Sequence, residues 1–291
     1  MTVSLLSEMR EPPADRLTGG AAPASVGPAP VAAKINREIV LLAGFARAIL
    51  MQLAHPLVAA GVADHSTFTA GASGYLRRSR HTIGAMLALT YGTEAEARAV
   101  IDRINAVHDR VHGVLCEPAG AFPAGTVYSA RDPRLLLWVL ATLLDSLPRT
   151  YELLVGPLSA ADKDAYVREA APSAVLLGIP ERMLFRCDRE VRVYVERMLA
   201  GGEIAVSDTA RALARELLAP PFGPARLLLP PARLLVIGLL PASLRAGYGF
   251  AWSDRHERWF DRTVALVRAL RAGLPAPLRE WPAARRARAA A

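Results

Sequence analysis

Residues 93–115 read TEAEARAVIDRINAVHDRVHGVL, and their pattern decides the fold class. Thr93 and Glu96 stand three apart, the spacing at which a hydroxyl and a carboxylate each satisfy a free backbone N–H at a helix start. From there Ala97, Val100, Ile101, Ile104, Val107, His108, Val111 and Leu115 recur at helical period, so one face is apolar and His108 lies on it. The expectation is a long amphipathic helix with an inward imidazole.

Helical patterns extend on both sides of this stretch. Upstream, a helix is expected over about 76–91, stopped by Gly92. It carries Arg78, His81 and Thr82 at i, i+3 and i+4, which puts a cation, an imidazole and a hydroxyl on one side. Further upstream, Ile39–Ala54 is apolar on nearly every face apart from Arg47 and Gln52 and reads as a buried helix capped by Asn36. Residues 38–62 approach the length of a membrane span, but Arg47, Gln52, His55 and Pro56 interrupt them.

Downstream, after a looped stretch at 117–129, helices are expected near 132–154, 160–171, 181–200, 207–218 and 255–272. The first should kink or break at Pro148. Ser159 with Asp162, and Ser207 with Asp208, supply helix starts. Ala219–Pro241 is apolar but interrupted by five prolines, which suits two short buried pieces or a patch touching a membrane surface. No run alternates as a strand does. The chain therefore reads as all-α. A single large helical domain over 35–275 follows a flexible leader at 1–34, rich in Gly, Ala, Pro and Ser, and precedes a basic tail at 276–291.

With 291 residues, 52% of them hydrophobic, the chain can bury a continuous core. The net charge of +8 is almost wholly arginine, since Lys34 and Lys163 are the only lysines. The arginines are scattered among alanines, without the basic stripe and interleaved aromatics that hold nucleic acid, so no nucleic-acid partner is expected. Cys116 and Cys187 have no metal-ligand spacing and read as reduced thiols. The first residues are acidic and proline-bearing where an export signal is basic and apolar, which gives a cytoplasmic expectation.

Five of the six histidines fall between residues 55 and 112, where the chemistry concentrates. His108 and His112 have the His-x-x-x-His spacing of a metal pair, which supports a non-haem metal hydrolase reading. The paired Glu-x-x-His pattern of di-iron bundles is absent. A haem needs one axial imidazole, an apolar slot and a few cations, and that requirement suits the region better. A helical carrier for a lipid or terpenoid remains a third reading. There is no Gly-rich phosphate loop, no Gly-x-Ser-x-Gly elbow, and no cysteine with histidine and asparagine partners.

The run Arg47–Pro56, then Gly61-Val62-Ala63-Asp64-His65-Ser66, Arg78-x-x-x-Thr82 and His108-x-x-Val111-x-Gly113 resembles the oxygenase family of MpaB and the rubber oxygenase, or latex-clearing protein. The likeness continues through Asp132-Pro133, Trp138, Asp145-Ser146, Tyr151, Gly156-Pro157-Leu158, Pro220-Pro221, Leu240-Pro241 and Leu244-Arg245, covering roughly 35–253. The resemblance implies a helical fold around haem b, with His108 as the iron ligand and Arg78 and Thr82 on the side where dioxygen binds. His81 stands where rubber-cleaving members carry lysine, which points away from rubber as substrate. Arg47 and Arg77 are the implied partners of the haem propionates, although a buried Arg47 equally suits a pairing with Glu38 or a helix end. A small apolar, unsaturated substrate cleaved at a carbon–carbon double bond is the implied reaction, with hydroxylation also open.

Overall fold

A computed structural model describes residues 29–65, 71–219 and 229–290; for 71–79 and 229 it describes the course of the chain alone. Among the described residues the chain forms helices α1 (Pro30–Asn36), α2 (Leu42–Leu53), α3 (Pro56–His65), α4 (Gly71–Tyr91), α5 (Glu94–His108), α6 (Pro133–Leu154) and α7 (Ala160–Leu176). These are followed by α8 (Asp188–Ala200), α9 (Asp208–Leu218), α10 (Leu229–Leu239), α11 (Ala242–Gly247), α12 (Asp254–Gly273), α13 (Ala276–Arg279) and α14 (Pro282–Ala290). One antiparallel hairpin, β1 (His112–Val114) with β2 (Val127–Ser129), is inserted between α5 and α6. The architecture is all-α in class, with this hairpin as its small exception.

The centre is the packing of α2 on α6, which buries Leu50, Met51, Trp138, Leu144 and Leu147. Gly44 permits the approach: a Cβ there would lie 2.7 Å from the Thr150 hydroxyl oxygen and 3.2 Å from a Leu147 methyl. Asp132 accepts from the Arg134 N–H at 2.8 Å and Pro133 occupies the first turn, where its missing N–H costs nothing, so α6 starts cleanly. It then continues through Pro148 without the break that was one of the two expected outcomes there. Burial of its flanks on α2 and α8 outweighs the lost hydrogen bond. The capping boxes at Thr93–Glu96 and Ser159–Asp162 are both formed, and the Ser207 side chain caps α9.

Asn36 does not cap α2. It closes α1, donating to the Thr90 hydroxyl and accepting from the Tyr166 hydroxyl, each at 3.1 Å, and so ties α1 to α4 and α7. Within the stretch read as leader, α1 already begins at Pro30 and fully buries Ile35. Nor is the basic end a frayed tail. Glu280 is buried, with Arg37, Arg279 and Arg288 at 3.8, 3.7 and 2.9 Å, and the Trp281 N–H donates to the Arg37 carbonyl at 3.0 Å. The neighbouring Glu38 is likewise buried and takes two hydrogen bonds, 2.9 and 2.7 Å, from Arg271. Ala284 then packs inward as α14 lies along α4. Pairing with opposed arginines is what lets these carboxylates leave water.

No single helix among the described residues is long and apolar enough to cross a membrane. The 39–53 and 56–65 segments would be so only together, and the chain bends by 103° between them. At that corner His55 is buried, its Nδ1 accepting from the Leu57 N–H at 3.3 Å and its ring 5.2 Å from that of Phe122. Burial pushes the His55 pKa down to about 4. Protonation therefore favours the unfolded chain, so the stability is complete above pH 6.5 and is lost as the pH falls towards 4. The shift corresponds to about 3 kcal/mol. Denaturant midpoints measured over that range should fall for the native protein and change much less for His55→Asn.

Candidate functional site

The long inward helix expected through Leu115 ends earlier, at His108. The chain turns at Asp109–Arg110 and enters β1, because Arg131 seizes the end of α5. Its Nε donates to Asp109 at 2.7 Å and its Nη1 to the Asn105 side-chain oxygen Oδ1 at 2.8 Å. The Asn105 amide donates in turn to the Leu176 carbonyl at 3.0 Å, fixing α5 against the end of α7. His112 consequently sits on an exposed strand instead of one turn beyond His108, which removes the helical spacing behind the two-histidine metal reading. No group of three or more His, Cys, Asp or Glu suited to a metal occurs among the described residues.

His108 lines an open-sided cavity of about 310 Å³ bordered by α2, α3, the end of α5, the hairpin and α6. Leu57, Val58, Val62, Val111, Leu135 and Val139 make most of its wall, and Gln52, His65 and Tyr128 add polar groups. The His108 ring is half-buried, and its Nδ1 is shut away from solvent with no hydrogen-bond partner among the described residues. Burial, reinforced by the Arg131 cation, lowers its pKa against the weaker pull of Asp109. The imidazole is thus held neutral, the state in which it ligates metal.

The hairpin side of the cavity is fitted around Tyr128. Its hydroxyl donates to Asp64 at 2.5 Å, and burial, then the Asp64 carboxylate, drives its pKa well above the usual phenol value. Gly113 faces it across the ladder, where a Cβ would come within 2.5 Å of the Tyr128 oxygen. His65 Nε2 lies 3.1 Å from the His112 carbonyl, which defines it as the N–H donor and leaves Nδ1 as an acceptor.

The remaining sequence candidates are placed differently. His81 and Thr82 lie on α4 as expected, but both side chains are exposed and neither lines this cavity. The side chains of Arg77 and Arg78, on the same helix, lie outside the described residues. Arg47 is buried 2.7 Å from Asp145, donates to the Ser146 hydroxyl at 2.5 Å and to the Leu239 carbonyl at 2.7 Å, and borders a separate cleft of about 700 Å³. Its charge is answered by Asp145, whereas Glu38 pairs with Arg271. Asp64, His65 and Tyr128 were not singled out from spacing, because the end of α3 and the hairpin, distant in sequence, meet only in the fold; Asp64 and His65 were visible only as part of the family likeness.

Two uncharacterized mycobacterial proteins, one from Mycobacterium bovis and one from Mycobacterium tuberculosis, are each 29% identical to this chain over 224 residues, covering 76% of it and 84% of the relative. No solved structure matches. The model of the ER-bound oxygenase mpaB/B'/rubber oxygenase catalytic domain matches residues 33–269, a span that holds α2 to α11, the hairpin, the His108 cavity and most of α12. The chain belongs to that family of oxygenase catalytic domains.

Proposed function

We propose that this protein is a haem b-dependent oxygenase whose iron ligand is His108, acting on a small apolar, unsaturated substrate by oxidative cleavage of a carbon–carbon double bond. One observation carries the reading: a neutral imidazole with a partnerless buried nitrogen in the wall of an apolar cavity. Such a nitrogen costs about 1–3 kcal/mol if nothing meets it. An axial ligand to haem needs a neutral ring and no further protein ligand, and His108 suits that part of the requirement. Bound haem supplies the redox iron at which dioxygen is used.

The chain's own part is positional. The Arg131–Asp109–Asn105 clamp fixes the last turn of α5 and with it the direction of the His108 ring. The apolar wall favours an apolar substrate and excludes water. The family likeness would put Arg78 on the oxygen side as a hydrogen-bond donor, whereas His81 and Thr82 face solvent on α4, away from the His108 cavity, and take no role there. Arg47 is committed to Asp145 and is not free to hold a propionate.

The test is the visible spectrum of protein produced with ample haem, together with metal analysis and oxygen uptake on unsaturated lipids and terpenes. The expected result is a Soret band at one haem per chain and substrate-dependent uptake. A colourless, iron-free protein overturns the proposal.

A further inference from the structure

The inner face of α12 is accounted for: Phe260 and Val264 pack on Leu154, Leu235 and Leu239. Its outer face should then be polar. Instead Trp259, Leu266 and Leu270 stand outward, and Leu274 and Leu278 continue the series beyond the helix, each between 40% and 64% exposed. Arg255, Trp259, Arg262, Leu266 and Leu270 follow one another at steps of three and four residues, so they form one line along the helix. The Arg262 guanidinium lies 5.5 Å from the Trp259 ring centre. By the same helical period Glu257 falls on the far side and Asp254 and Asp261 lie beside Arg258 instead of on this line, and none of the ion pairs among the described residues takes up Arg255 or Arg262. Beside the start of α12, an open groove of about 520 Å³ runs under Leu234, Ile237, Phe250 and Trp252, with Arg233 and His256 also lining it.

An outward apolar line with a tryptophan and uncompensated arginines has the composition of a helix that lies in a bilayer interface. We propose that this protein docks on an anionic lipid surface through the outer face of α12, with the headgroups meeting Arg255 and Arg262 and an acyl chain entering the adjoining groove. A second copy of the chain is the competing occupant. It carries the same net charge of +8, whereas anionic headgroups bring net counter-charge to the arginines. This goes beyond the oxygenase reading and does not depend on it.

The experiment is co-sedimentation of the full chain with vesicles of phosphatidylcholine alone and of phosphatidylcholine mixed with phosphatidylglycerol. The protein should partition onto the anionic vesicles and be released by salt. The combined Trp259→Ser, Leu266→Gln and Leu270→Gln variant should bind on the order of ten-fold more weakly with an unchanged melting curve. A second variant, Arg255→Gln with Arg262→Gln, should lose the preference for the anionic vesicles. Failure to sediment with anionic vesicles overturns the proposal, as does equal binding by both variants. Sedimentation velocity showing a native dimer that the triple variant converts to monomer also overturns it, assigning the face to a second copy.

Discussion

Asp145→Ala should destabilise the fold by about 3–5 kcal/mol, the cost of removing one partner from a buried ion pair. For a chain of this size the melting temperature should fall by roughly 10 °C. Asp145 and Arg47 are nearly shut off from solvent, 2.7 Å apart, where α2 crosses α6 and α10 packs on α2. Burial pushes the Asp145 carboxyl up, but the charges of Arg47 and the more exposed Arg149 outweigh it and hold the pKa below the usual carboxylate value. Burial also lowers Arg47, partly offset by Asp145. Without the carboxylate, Arg47 stays anchored to Ser146 and to the Leu239 carbonyl and is left as an uncompensated cation. The double variant Arg47→Met with Asp145→Leu should recover most of the loss, because an apolar pair of similar volume avoids both desolvation costs. The sign with pH follows: the contribution is present above the ordinary aspartate pKa and is lost as the pH falls through the depressed native one. Equilibrium denaturation of the three variants measures it, and a cost below about 1 kcal/mol for Asp145→Ala would show that water relieves Arg47.

The second large effect concerns His108. His108→Ala should yield a folded but colourless protein, lacking the Soret band and taking up oxygen at background rate. The ring is half-buried and its Nδ1 has no protein partner, so its removal leaves no other group unsatisfied and the melting temperature should shift by only a few degrees. His112→Ala is the discriminating control. His112 is an exposed strand residue whose carbonyl, not its ring, meets His65, so the spectrum should persist. Loss of the band in His112→Ala with retention in His108→Ala would sink the ligand assignment.

The parts of the fold legible in the sequence were those set by local chemistry. The two capping boxes need only residues three apart, and the burial of 42–53 follows from an apolar run. What was missed depends on partners distant in sequence. The helix end at His108 is imposed by Arg131, which no periodicity in 93–115 reveals. The hairpin has three-residue strands, too short to show alternation, and is held by pairing between 112 and 129. Pro148 survives inside α6 because two packed neighbours support that helix. At the site, inward placement of His108 could be read from spacing, but its company of His65 and Tyr128 could not. The expected cluster of His81 and Thr82 with His108 rested on helical spacing and then on family likeness, and those two side chains face solvent on α4.

The buried Glu280 also bears on the order of events during synthesis. Arg37 and Glu38 meet their backbone partners at residues 280 and 281 only after nearly the whole chain has been made. At ribosomal rates of about 5–20 residues per second, the roughly 240 intervening residues impose a wait of roughly 12–50 s. During that interval Glu38 has neither Arg271 nor its strand partner, so α1 cannot settle against a finished molecule. The nascent chain should therefore fold late, with its opening segment among the last to be locked, and ribosome-stalled intermediates should remain open to protease near residue 37 until the C-terminal arginines emerge.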